Sequence, residues 1–158
     1  MHGKYITFIL ERKEGLRLGL ARYKLITIDE FRNIIEGFFI PDIIIQIIQE
    51  IIERQYLIIY MSRVGITQDF KGIGFGSTLQ GLIDAHVRIT YPNFLLVAIA
   101  NIKMFKLIKS RYRSEDFKKK YIYSDIHYSE EWEVDFRIIL KRVLDSCNLD
   151  NYEKPSYV

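Results

Sequence analysis

Cysteine is almost absent from this 158-residue chain, and Cys147 stands alone. A single cysteine excludes an internal disulfide framework and a cysteine-built metal centre. Histidine is scarce as well: His2, His86 and His127 share no ligand spacing, so the sequence predicts no metal site. Proline occurs only at Pro41, Pro92 and Pro155, and no Gly/Ser-rich or Pro-rich stretch divides the chain. A linker is therefore excluded. With no internal repeat either, the expectation is one domain over residues 1–144 and a polar, loosely ordered tail over 145–158. There is no long unbroken hydrophobic run. The most apolar stretch, Phe38 to Met61, is interrupted by Pro41, Asp42, Gln46, Gln49, Glu50, Glu53, Arg54 and Gln55, which argues against a membrane span. Glu11, Arg12, Lys13 and Glu14 likewise argue against a signal peptide in residues 1–24, and a cytoplasmic location is expected. Charge imbalance is small: a net +3 does not by itself call for a nucleic-acid partner.

What is present is apolar bulk. Hydrophobic residues make up 49% of the chain, which rules out a disordered protein and suffices for a buried core. Lys4 to Glu11 and Leu16 to Ile26 read as strands on either side of the Lys13-Glu14-Gly15 turn. Thr27, followed by Asp29 and Glu30, starts a helix that should carry Phe31, Ile34, Ile35 and Phe38 inward and end near Gly37. Pro41-Asp42 starts another, with Ile44, Ile47, Ile48, Ile51 and Ile52 on its buried side. Tyr56 to Ile66 and Phe94 to Ala100 read as buried strands. Thr78 to Arg88 and Ile102 to Ser110 read as helices. Further on, Tyr121 to Tyr128 is a candidate strand. Trp132 to Leu144 reads as an amphipathic helix, with Trp132, Phe136, Ile139, Leu140 and Val143 on one face.

The most informative stretch is Asp69-Phe70-Lys71-Gly72-Ile73-Gly74-Phe75-Gly76-Ser77-Thr78-Leu79, which lies between a strand-like and a helix-like segment. Alternating glycines turn tightly and leave backbone N–H groups uncovered. The following helix start adds free N–H groups and the positive end of its dipole. Such a turn is an anion site, typically for phosphate or pyrophosphate. It is not a Walker loop, because no lysine precedes Ser77-Thr78. It is not the dinucleotide fingerprint either, because the glycine spacing differs and the strand from Leu95 ends in Ala100-Asn101 rather than in an acid.

Phe70-Lys71-Gly72-Ile73-Gly74-Phe75-Gly76, followed by Ser77-Thr78-Leu79, resembles the acyl-CoA loop of the GNAT acyltransferase superfamily, with Lys71 where Arg or Gln is typical. Lysine keeps the charge and loses the planar fork. The order strand, loop, helix, strand, Asn101, helix over residues 56–113 matches as well. The resemblance implies an α/β domain with a mixed, largely antiparallel central sheet flanked by helices. It implies acetyl-CoA or another acyl-CoA as cofactor, held by Val64, Gly65, Ile66, Lys71, Gly72, Ile73, Gly74, Phe75, Gly76, Ser77 and Asn101. Transfer to an amine, by direct attack on the thioester, is the implied activity. The acceptor is a small-molecule, peptide or nucleobase amine, and a homodimer is compatible with the family.

The catalytic acid is the point of departure. The position of the tyrosine that commonly protonates the leaving thiolate in that family falls on Ile108, which has no proton to give. Tyr112, Ser110 and Ser62 are the substitute candidates, with Tyr60 a further hydroxyl. His127, beside Asp125 and Glu130, is a candidate base, as are Asp125, Glu50 and Glu53. The alternative is a catalytically degenerate acyl-CoA-binding module, or a nucleic-acid-binding or -modifying one. Lys103, Lys106 and Lys109, with Arg111, Arg113 and Lys118 to Lys120 nearby, form either a solvated helix face or a phosphate-binding one. Ser62 to Gly74 also resembles a GNAT subgroup that includes phage DNA-base-modifying enzymes and archaeal ATPase-fused acyltransferases.

A carboxylate placed in an anion cradle repels the phosphates it should hold. Gly74→Glu is therefore expected to abolish acetyl-CoA binding measured by calorimetry, while wild-type protein binds.

Overall fold

The computed structural model describes residues 6–11, 15, 17–66, 85–87 and 89–144. Its first helix, α1 (Ile28–Ile35), begins where the sequence says it should. The Thr27 hydroxyl accepts from the Glu30 N–H and the Glu30 carboxylate accepts from the Thr27 N–H, both at 3.1 Å. This reciprocal box satisfies two of the N–H groups that a helix start leaves unpaired. Phe31 and Ile35 are fully buried. The helix stops earlier than expected: Gly37 takes φ +88°, a left-handed turn that suits glycine, so Phe38 leaves the helix and lies in the link to α2. Pro41 opens α2 (Pro41–Arg54), where its fixed φ suits the helix start and its missing N–H costs nothing. Ile44, Ile47, Ile48 and Ile51 are buried as expected, but Ile52 is 61% exposed. It continues the apolar run past the edge of the buried stripe.

The strands are β1 (Ile6–Glu11), β2 (Arg17–Ile26), β3 (Leu57–Ile66), β4 (Phe94–Asn101), β5 (Tyr121–Tyr123), β6 (His127–Ser129) and β7 (Val134–Val143). Between β4 and β5 lie two further helices, α3 (Ile102–Ser110) and α4 (Ser114–Lys120). Among the described residues the strands form one seven-stranded sheet in the order β1-β2-β3-β4-β7-β5, with β6 also on β7. Every pairing is antiparallel except β3 with β4. This is the mixed, largely antiparallel sheet expected.

Two expectations fail at the carboxy-terminal end. Residues 132–144 are not a helix: Val134–Val143 is a strand, bonded to β4 on one side and to β5 and β6 on the other. A strand covered on both faces loses its two-residue alternation. Ile138, Ile139 and Leu140 are all buried, and that consecutive run produced a helical spacing by coincidence. Residues 121–128 are not one strand but two short ones. Ser124 separates them and is anchored to β7: its N–H donates to the Ile138 carbonyl and its Oγ accepts from the Ile138 N–H, both at 2.9 Å.

The sheet carries a helical layer on each face. On one, α1 and α2 pack against Ile26, Ile58, Leu95, Val97, Ile138 and Leu140. On the other, Phe105 of α3 and Phe117 of α4 pack against Ala100, Tyr121 and Ile139, and Val87 covers Tyr23, Ile59, Phe94 and Val143. Arg142 ties β7 to α2 through Glu50 at 2.7 Å. No helix among the described residues is long and apolar enough to cross a membrane.

Removing a fully buried leucine side chain leaves a cavity. Leu140→Ala is expected to lower unfolding stability by about 2–5 kcal/mol in denaturant titration. Exposed Ile52→Ala should stay within about 0.5 kcal/mol of wild type.

Candidate functional site

The parallel pairing of β3 and β4 runs from Leu57↔Phe94 to Met61↔Ala98 and then stops, although β3 continues to Ile66 and β4 to Asn101. The cause lies on the other side of β3. Its register with β2 shifts between Arg22↔Arg63 and Tyr23↔Met61, so Ser62 has no partner in β2. One extra residue makes a bulge, and a bulge bends the strand and increases its twist. The bulge falls directly after the last β3–β4 pair, so β3 follows β2 while β4 follows β7. In a strand, alternate residues point their N–H and C=O groups to opposite edges. Beyond Met61, the groups of β3 that point toward β4 have no ladder partner there. The result is a wedge-shaped opening edged by backbone donors and acceptors.

On the α1–α2 face, β4 records where the helical cover ends. Leu95 and Val97 are 1% and 0% exposed, whereas Ile99, next on the same face, is 55% exposed. Beyond it lies a cluster of aromatic side chains. Phe136 is paired with Asn101 of β4 on one side and with His127 of β6 on the other, which sets all three at one level of the sheet. Phe38 comes over from the α1–α2 link and meets His127 edge-on at 4.8 Å and Phe136 at 5.7 Å. This cluster lies at the end of the sheet where β3 and β4 part.

On the opposite face, Asn101 ends β4 and caps α3, its Oδ1 accepting from the Met104 N–H at 2.8 Å. The cap aims the start of α3, with its free N–H groups, at the mouth of the wedge. Arg137 fixes the helix to the sheet: its guanidinium lies over the rings of Phe105, at 4.7 Å, and Tyr123, and donates to the Ser124 carbonyl at 2.7 Å. Lys103, Lys106 and Lys109 are exposed, opposite buried Phe105 and half-buried Met104 and Ile108. The three lysines thus form one exposed cationic helix face.

The candidate acids are placed as follows. Ile108 is packed with Phe105 and Phe117. Ser110 is exposed and its Oγ donates to its own helix, to the Leu107 carbonyl at 2.7 Å. Tyr112 lies past the end of α3, tilted against Phe117 and edge-on to Tyr121, with Lys120 over its ring. With about 1.5 Å of rise per residue, α3 separates Tyr112 from Asn101 by more than 13 Å or so. Ser62 is the bulge residue itself, at the apex of the wedge. Val64, Gly65 and Ile66 lie on the β3 arm beyond it. Lys71, Gly72, Ile73, Gly74, Phe75, Gly76 and Ser77 fall outside the described residues. Of the candidate bases, Glu50 is engaged by Arg142 and sits beside Tyr56, whose phenol is pushed up by burial and then by the Glu50 charge. Among the described residues no group of metal-ligating side chains occurs.

The sequence reading missed that Phe38, His127 and Phe136 meet in one cluster, because they come from three separate segments and Phe136 was assigned to a helix. It also missed Tyr23. This fully buried residue of β2 pairs with Met61, the last residue before the bulge, and its hydroxyl shares a 2.6 Å hydrogen bond with His86 Nδ1. The bond ties the helical segment after the glycine loop to the apex of the wedge. Burial first, and then the nearby Tyr91, push the Tyr23 phenol up to about 12. Its free value is near 10, so the folded state holds the proton more tightly than the unfolded one. The associated stability is complete below pH 10 and is lost as pH rises toward 12. Urea midpoints of wild type are expected to fall across that window more steeply than those of Tyr23→Phe. Parallel curves would contradict the assignment.

No protein-family model and no curated protein matches the chain. Solved structures do. An acetyltransferase from Bacillus cereus superimposes with a TM-score of 0.51 at 11% identity, over 89% of this chain and 74% of that one. Arabidopsis thaliana NAA60, solved with a bisubstrate analogue, gives 0.51 at 11% identity over 90% and 78%. The ribosomal-protein-S18-alanine N-acetyltransferase from Escherichia coli gives 0.50 at 9% identity over 91% and 72%. The second resemblance, over Ser62 to Gly74, gains no support from these structures. With one parallel pair among the described strands, parting at a bulge, and a helical layer on each face, the chain has the fold of the GNAT acetyltransferases.

Proposed function

We propose that the chain is an acyl-CoA-dependent N-acyltransferase, with acetyl-CoA the first donor to test and an amine as acceptor. The observation that carries this reading is the parting of β3 from β4 at Met61 and Ala98. A pantetheine arm is a thin chain bearing amides, and a wedge edged by unpaired backbone groups fits it. Val64 to Ile66 on β3 would hold the arm, and the loop from Lys71 to Ser77 would take the pyrophosphate. Asn101 would act through the helix start it caps. Bound acyl-CoA supplies a thioester carbonyl: the amine forms the C–N bond, the C–S bond breaks, and the amine proton balances the thiolate. A backbone N–H just past the bulge would polarise that carbonyl. The acceptor would enter on the α1–α2 face beside exposed Ile99.

A second reading, a degenerate acyl-CoA binder, has a specific observation behind it. Ile108 has no proton, and Ser110 and Tyr112 are committed to their own helix and aromatic cluster. That leaves Ser62 as the surviving candidate acid of the three. Free-thiol release from acetyl-CoA in the presence of a primary amine separates the readings. The enzyme reading expects amine-dependent release that falls at least about tenfold in Ser62→Ala with acetyl-CoA affinity retained. Binding without any release would assign the chain to the second reading.

A further inference from the structure

His127 is a titratable group to which the reading above gives no task. Its Nε2 is buried and has no hydrogen-bond partner. A buried polar atom without a partner is costly and calls for an explanation. The imidazole is not loosely placed. Phe38 meets it edge-on at 83°, and Phe136 lies beside it on the paired strand. The two rings fix its plane, and neither offers a hydrogen-bonding partner for a nitrogen. Phe38 belongs to the short α1–α2 link and not to a helix, so it is the wall able to yield to a ligand.

Position sets the scale of that ligand. His127 stands two strands from β4, across β7. At roughly 4.8 Å per strand, this places it about 10 Å from β4, which edges the wedge where acyl transfer is read to occur. A small amine reacting in the wedge would not reach it. An extended polypeptide, at about 3.3 Å per residue, spans that distance in about three residues. The path between passes exposed Ile99 and then half-buried Phe136, an apolar track with one polar stop.

We propose that His127 is a specificity-determining residue for the acceptor: its Nε2 hydrogen-bonds to the body of an extended amine, the end of a polypeptide chain, about three residues from the amine that is acylated. The proposal rests on the acyltransferase reading and narrows its acceptor.

The test uses the full chain with ¹⁵N-labelled histidine. Its three histidines give separable imidazole signals. With CoA present, a tetrapeptide amide with a free α-amine is expected to shift the His127 Nε2 resonance, and butylamine is not. In steady-state assays His127→Phe should raise the peptide KM about tenfold with kcat and acetyl-CoA affinity held, and His127→Asn should recover part of the loss. A peptide that leaves the His127 resonance in place, or a peptide KM within twofold of wild type in His127→Phe, overturns the proposal. So does a protein that binds acetyl-CoA but does not acetylate the peptide. Failure of wild type to bind acetyl-CoA has a different signature and removes the acyltransferase reading itself.

Discussion

The parting of β3 from β4 is the constraint on which the remaining structure depends. Parallel strands are normally zipped along their whole length and covered by helices on both faces. Here the zip ends at Met61 and Ala98, and among the described residues the β3 backbone groups beyond it that point toward β4 have no ladder partner. Such groups are costly if buried without partners, so the opening persists only if a ligand or water satisfies them. The bulge at Ser62 makes the parting a built feature and not fraying. Tyr23, fully buried beside that bulge and bonded to His86, holds the apex from one face, and Asn101 and Arg137 hold α3 to the wedge's edge from the same face.

From that constraint the two faces take different chemistry. The α3–α4 face near the wedge is cationic at its surface, with Lys103, Lys106 and Lys109 in water and a fixed helix start at Asn101. It suits an anionic partner. The α1–α2 face is apolar and aromatic at Phe38, Ile99 and Phe136, with His127 its polar point. The division suits a reaction in which a phosphate-bearing donor and an uncharged or apolar acceptor body approach the same opening from opposite sides. It also explains why Tyr112 and Ser110 contribute nothing evident at the wedge: both serve the packing or capping of α3 on the cationic face.

Much of this was legible in the sequence, for identifiable reasons. β3, β4 and α3 are contiguous segments with strong local signals: β-branched runs, then Asn101 as a helix cap. Thr27 with Glu30 announces α1 as plainly. The glycine-rich loop carries a resemblance in its spacing, but it falls outside the described residues. β7 was not legible, because burial on both faces of Ile138, Ile139 and Leu140 erased the alternation that marks a strand. The bulge was not legible either, since one unpaired residue is a property of register between two strands. The aromatic cluster followed them out of view: Phe38, His127 and Phe136 become neighbours only once β7 is a strand between β4 and β6.

The central claim is that the backbone of β3 beyond Met61 is a binding edge for the acyl donor. Amide hydrogen exchange, read with and without saturating acetyl-CoA, tests it most directly. The account predicts that amides in residues 62–66 slow markedly with the donor present, while those of Leu57 to Met61, already paired with β4, change little. Unchanged exchange over 62–66 at saturation, with slowing confined to other elements, would contradict it.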